Sequence, residues 1–189
     1  MMNSVIMPVH KIHPTAIVHP NAVIGKNVEI GAYAIVGDDV VIGDGCKLYP
    51  HAVIHEHTTV GKNCTFFPGC SIGAVPQDLK FAGEHSSTII GDGCIFRECT
   101  TVNRATGEGN KTIIGNNLLM MAYTHVAHNC IVGNNVIMSN VATLAGHVTV
   151  EDRAVIGGLA AVHQFCKIGR SAMIGGQAHV NPVSYTHLR

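Results

Sequence analysis

Residues 126–167 read V-A-H-N-C-I, V-G-N-N-V-I, M-S-N-V-A-T, L-A-G-H-V-T, V-E-D-R-A-V, I-G-G-L-A-A and V-H-Q-F-C-K when cut every six residues. The first place of each hexad is aliphatic or Met. The fifth is small and apolar: Cys130, Val136, Ala142, Val148, Ala154, Ala160 and Cys166. Neither the 3.6-residue period of a helix nor the simple alternation of a half-buried strand produces this pattern. One large and one small apolar residue in every six is the mark of a parallel β-helix, in which short strands and turns stack coil upon coil.

Outward from this stretch the register runs from Ile12 to Ile72, resumes from Ile90 to Val102, and continues from Ile114 to Val180, with no polar residue at any first place. Gly favours the second place, as in Gly25, Gly31, Gly37, Gly43, Gly133, Gly157 and Gly169. Three hexads per coil bring residues one coil apart into vertical register at the strand spacing of about 4.8 Å. The expected fold is therefore all-β, a single solenoid domain over residues 12–183, with a lead-in at 1–11 and a tail at 184–189.

The chain has 189 residues, 47% of them hydrophobic and 13% charged, and a formal net charge of zero. That balance argues against nucleic acid as a partner. Residues 1–11 lack a charged segment followed by an apolar run, and no stretch of about 18 consecutive apolar residues occurs. No membrane insertion is expected, and a cytoplasmic location is. Of the seven cysteines, Cys46, Cys64, Cys70, Cys94, Cys130 and Cys166 fall at the fifth place, and no C-x-x-C pair occurs. They read as small core residues, which suits a reducing compartment.

Two interruptions, near 78–89 and 108–113, read as extruded loops because the register resumes unchanged after each. The first opens V-P-Q-D-L-K-F-A-G-E and carries Gln77, Asp78, Lys80 and Glu84 on a segment that does nothing for the core. Binding residues tend to sit on such segments, and so do plain solvated excursions. The second contains G-E-G-N-K-T, whose spacing is not that of a phosphate-binding P-loop.

Of thirteen histidines, His13, His19, His51, His55 and His57 occupy outward or corner places and read as surface residues. A later group differs. The hexads beginning at Val126, Leu144 and Val162 stack on one face and contain His128, His147 and His163, with His125 closing the hexad before. Gly146 stands in the column of His128 and Gln164, where a missing side chain lets a ligand approach the backbone. Such a cluster serves either a general base that draws a proton from a hydroxyl while backbone N–H groups hold an oxyanion, or a zinc site with three imidazoles and an open position. A cluster without chemistry is the third reading, and spacing leaves all three open.

The strings I-H-P-T-A-I-V (12–18), P-Q-D-L-K (76–80), N-L-L-M-M-A-Y-T-H-V-A-H-N-C (117–130), A-T-L-A-G-H-V-T-V (142–150) and I-G-G-L-A-A-V-H-Q-F-C-K-I-G (156–169) resemble the bacterial UDP-N-acetylglucosamine O-acyltransferase family. The resemblance implies a left-handed β-helix, a homotrimer with sites between subunits, and no metal or cofactor. It implies transfer of an (R)-3-hydroxyacyl group from acyl carrier protein, the co-substrate, to the 3-hydroxyl of UDP-N-acetylglucosamine, the first step of lipid A biosynthesis. His128 matches the catalytic base and Gly146 the oxyanion donor. His125, His147, His163 and Gln164 match substrate contacts, as do Gln77, Asp78 and Lys80 in the loop. Gly176 matches the position limiting acyl length, and a glycine there predicts a longer chain.

Two departures stand out: Asn129 follows the base where the family often has Asp, and S-Y-T-H-L-R (184–189) stands where relatives continue into a helical domain. Poorer solubility and weaker trimers are expected of such an end. Rival readings are the N-acyltransferase of the same pathway, a zinc carbonic anhydrase on the same fold, or an inactive solenoid. Arg153, Lys167 and Arg170 are candidates to attract an acidic carrier protein.

Overall fold

The structure is a computed structural model and describes residues 11–182. Residues 1–10 of the expected lead-in, residue 183 and the tail at 184–189 lie outside the described residues.

The hexad fixes both the strand and the corner. Strands run from Lys11–Ile12 to His179–Val180, most of them two residues long, and every first-place residue lies in one. A two-residue strand cannot stand alone. It persists because each pairs in parallel with the strands one coil before and after, as Ile30 pairs with Leu48 and Leu144 with Val162. Three parallel sheets result, two of nine strands and one of eight. The first begins at Lys11–Ile12, the second at Ile17–Val18 and the third at Val23–Ile24.

First-place residues fill the interior, among them Ile30, Leu48, Phe66, Phe96, Met120 and Met138, all fully buried. Phe66 and Phe96 stack with centroids 5.0 Å apart and planes 3° from parallel. Fifth-place residues close the corners: Ala34, Ala52, Ala142 and Ala154 are fully buried, as are the six repeat-place cysteines. The cysteine thiols donate to corner carbonyls, Cys46 Sγ to Gly61 O at 3.1 Å and Cys94 Sγ to Gly115 O at 3.1 Å. Glycine at the second place answers to crowding between stacked turns: a Cβ on Gly157 would lie 2.6 Å from Gly176 N and Ile174 O.

Both loops begin and end a few residues earlier than the expected ranges. Strands Ser87–Ile90 and Lys111–Ile114 each run four residues, so the excursions are 75–86 and 104–110. Thr88 and Thr112 take the buried fifth place and pair with one another, and Thr88 pairs with Thr58 on its other side. A sequence reading that looks only for apolar residues passes over these threonines, and this is why it extends each loop too far.

Both excursions leave the second sheet and return to the third, from strand Ser71–Ala74 to Ser87–Ile90 and from Thr101–Asn103 to Lys111–Ile114. The same corner, two coils on from the first loop and one from the second, is formed by residues 127–130 between strands His125–Val126 and Ile131–Val132. Coil geometry thus delivers both loops to the edge that carries His128.

Candidate active site

His128 lies at this corner, its side chain 13% exposed. Its Nδ1 is 2.8 Å from Asn129 Oδ1. The Asn129 amide is held in turn by the second loop: Nδ2 donates to Thr106 O at 3.1 Å, while Oδ1 accepts from Thr106 N and Thr106 Oγ1, both at 2.9 Å. A backbone N–H can only donate and a carbonyl can only accept, so the amide has one orientation. Nδ1 of the neutral ring must therefore carry the proton, and Nε2 is left with its lone pair.

That lone pair faces the first loop. Asp78 Oδ2 is 3.8 Å from His128 Nε2, beyond hydrogen-bond reach but close enough for charge to act. Asp78 is itself fixed by Lys80 N–H, which donates to its Oδ1 at 2.9 Å. The two loops brace one another. Glu84 Oε1 accepts from Gly107 N at 2.7 Å, and the Arg104 guanidinium sits 5.6 Å from the Phe81 ring while donating to Glu56 at 2.7 Å.

Below the ring lies Gly146, whose Cβ, if it had one, would meet His128 Cε1 and Nε2 at 2.6 Å. Among the described residues its N–H has no hydrogen-bond acceptor. His147 meets His128 edge to face with centroids 5.2 Å apart and stacks on Phe165 at 4.8 Å. Burial and the neighbouring His128 hold the His147 imidazole below its ordinary range, with Asp78 opposing. His125 lies on the strand itself rather than around a corner from it. Its Nδ1 is 2.7 Å from Thr101 Oγ1, and burial first, then His128, pushes its imidazole down.

His163 stands one coil further on, its Nδ1 3.1 Å from Gln164 O, and with Ala145, Ala161 and His179 it lines a depression of about 280 Å³. Gln164, Gln77 and Lys80 are exposed around the same edge. Gly176 is exposed on a different edge: it sits at the corner between the first and second sheets, stacked on Gly158, whose carbonyl oxygen would be 3.3 Å from an added Cβ. Within one chain it does not join the histidines.

The arrangement provides an oriented base, an open N–H donor beneath it, a carboxylate facing it and small residues alongside. The network missed by sequence reasoning is Thr106 on Asn129. Its one signal is that both interruptions begin at the same phase of the coil as His128. Among the described residues the only three His, Cys, Asp or Glu side chains whose ligand atoms all lie within 4.8 Å of one another are Asp39, His57 and His85, so His125, His128, His147 and His163 do not converge as a metal cage within one chain.

No helix among the described residues is long and apolar enough to cross a membrane. A family model described as bacterial transferase hexapeptide (six repeats) matches residues 21–56 and 39–74. An acyl-[acyl-carrier-protein]–UDP-N-acetylglucosamine O-acyltransferase of Gloeothece citriformis is 59% identical over 64 residues, 34% of this chain and 23% of that protein. The structure is similar to that of the enzyme from Acinetobacter baumannii, with TM-score 0.88 and 44% identity over 90% of this chain and 66% of that one. It is equally similar to the UDP-N-acetylglucosamine acyltransferase of Bacteroides fragilis, with TM-score 0.88 and 44% identity over 90% of this chain and 67% of that one. An Arabidopsis acyltransferase of the same description superposes with TM-score 0.76 at 39% identity, covering 87% of this chain and 65% of that one. The chain thus spans about two thirds of the length of the solved relatives, and the aligned segment only 23% of the Gloeothece relative.

Proposed function

The chain belongs to the UDP-N-acetylglucosamine acyltransferase family of hexapeptide-repeat proteins, and from that premise we propose that it moves an (R)-3-hydroxyacyl group from acyl carrier protein to the 3-hydroxyl of UDP-N-acetylglucosamine, in the cytoplasm, as the opening step of lipid A synthesis. The observation that carries this reading is the seating of His128: Nδ1 2.8 Å from an Asn129 Oδ1 that also accepts from Thr106 N, an arrangement that orients Nε2 as the basic nitrogen.

A sugar hydroxyl is a poor nucleophile at neutral pH, and an imidazole that takes its proton as the new bond forms typically contributes about 10²–10⁴ in rate. Nε2 takes the hydroxyl proton, the sugar oxygen attacks the thioester carbonyl, and the resulting oxyanion is held by Gly146 N–H. Collapse breaks the carbon–sulfur bond, and the imidazolium returns the proton to the departing thiolate. Asp78, facing Nε2, stabilises the imidazolium and, with Gln77 and Lys80, holds the sugar nucleotide. His125, His147, His163 and Gln164 contact the substrates.

In this reading Gly176 limits the acyl chain, and its position on another corner supports a site completed between chains of a homotrimer. The absence of a side chain at Gly176 favours a longer acyl chain. Arg153 and Arg170 are the candidates to attract the acidic carrier protein.

The test is to incubate the chain and its His128→Ala form with UDP-N-acetylglucosamine and (R)-3-hydroxymyristoyl acyl carrier protein, and to follow acylated nucleotide by mass spectrometry. Product from the parent and not from the variant is expected. No product from the parent sinks the reading for this chain, and full turnover by the variant sinks the base.

A further inference from the structure

Two to four coils before the turn that carries His128, the same corner between the second and third sheets carries a second cluster. Asp39 and His57 occupy the same left-handed slot of successive coils, with φ of 50° and 58°. The stack gives them one direction, and His57 Nδ1 lies 3.0 Å from Asp39 Oδ2. One coil further the slot would fall at residue 75, where the first loop departs. The loop's returning end supplies His85 in its place, its ring centroid 4.4 Å from that of His57. One ligand atom from each of Asp39, His57 and His85 lies within 4.8 Å of the others.

The backbones behind these side chains are tied down. His57 N donates to Asp38 O at 3.2 Å and Thr88 N to His57 O at 3.1 Å. His85 N donates to Glu108 Oε2 at 3.0 Å, and Gly109 N donates to His85 O at 2.8 Å. The neighbouring acids are otherwise engaged, Asp38 with His19 at 3.1 Å and Glu56 with Arg104 at 2.7 Å. Two imidazoles and one carboxylate thus converge on fixed supports, and small rotations of the half-exposed or exposed side chains close them to coordination distance.

We propose that Asp39, His57 and His85 bind a divalent transition metal ion, fastening the returning end of the first loop to the coil. Imidazole nitrogens with a single carboxylate suit zinc, cobalt, nickel or copper, whereas magnesium and calcium ask for oxygen ligands throughout. Solvent completes the coordination, because all three side chains stand at the surface. The ion takes no part in the acyl transfer. It restrains the segment 75–86, whose other arm holds Asp78 opposite His128.

The test uses untagged, chelator-treated protein titrated with Zn²⁺ by calorimetry and with Co²⁺ by visible absorption. One equivalent per chain is expected, weakened on the order of tenfold or more by His85→Ala and by Asp39→Asn, and unchanged by His128→Ala. Circular dichroism checks that the coil survives each change. As a second readout, Zn²⁺ should slow tryptic cleavage after the exposed Lys80 in the parent but not in His85→Ala. Absence of binding by the parent overturns the proposal. So does binding that survives both His85→Ala and Asp39→Asn, or that disappears in His128→Ala. None of these readouts depends on acyl transfer.

Discussion

The Cε1 and Nε2 atoms of the His128 ring close over Gly146: an added Cβ there would stand 2.6 Å from both. Any side chain at 146 must therefore displace the ring or the coil, and a side chain turns about its own bonds more easily than a turn stacked on both sides shifts. Gly146→Ala is predicted to lower turnover on the order of 10²-fold, the usual cost of misplacing a catalytic group by about 1 Å, at a stability cost of about 1–3 kcal/mol. Product formation and urea unfolding, measured together, decide it. An alanine variant with parental turnover would show that the ring's position does not matter.

Asn129 fixes which nitrogen of His128 is free, and Thr106 fixes Asn129. Asn129→Ala releases both, and about a tenfold or greater loss in kcat/KM is expected. Asn129→Asp keeps an acceptor for Nδ1–H and adds a negative charge beside the ring, which favours the imidazolium. The acid limb of the pH profile of kcat/KM should then move to higher pH. An identical limb in Asn129→Asp and the parent would mean that His128 is not the group being titrated.

The coil is legible in the sequence because its determinants are local and repeated: Ile30, Leu48 and Val162 each occupy a first place that the pattern picks out, and each is buried. Thr88 and Thr112 fill fifth places as polar residues, so the pattern passes over them and misjudges the loop ends. The column of His128, Gly146 and Gln164 follows from counting. The approach of Asp78 to His128, and the seating of Asn129 under Thr106, depend on how two irregular segments fold over the edge, and no period encodes that. Gly176 shows the opposite limit. Resemblance groups it with the histidines, while the coil puts it on a different corner.

The cysteines test the core directly. Six are buried at the fifth place and Cys99 is exposed. Burial pushes the Cys70 and Cys130 thiols up to about 12, so they present no thiolate at ordinary pH. Ellman's reagent at about pH 8 should therefore label one thiol per folded chain, Cys99, and all seven after denaturation. Cys99→Ser should remove the fast-reacting thiol entirely. Rapid labelling of several thiols in the native state would contradict the packed corners described for Cys46, Cys64 and Cys94.

Acid should weaken the fold through two half-buried histidines. Burial is the leading cause that lowers the imidazoles of both His55 and His125, the second helped by the neighbouring His128. In the unfolded chain both take up protons near the ordinary value of about 6.5, while the folded chain resists. The unfolded state therefore binds more protons as pH falls below that value. Stability is fully present above about pH 6.5 and drains away on acidification toward the lower folded values. The carboxylates held low, such as Glu56 and Glu84, act in the same direction but only nearer about pH 4.5, so the window from about pH 7 to 5 isolates the histidines. Urea midpoints should drop across that window in the parent and drop less in the double variant His55→Gln, His125→Gln. His147 is more exposed and contributes little. A parental midpoint that stays level across the window, or an equal drop in the double variant, would place the acid sensitivity elsewhere.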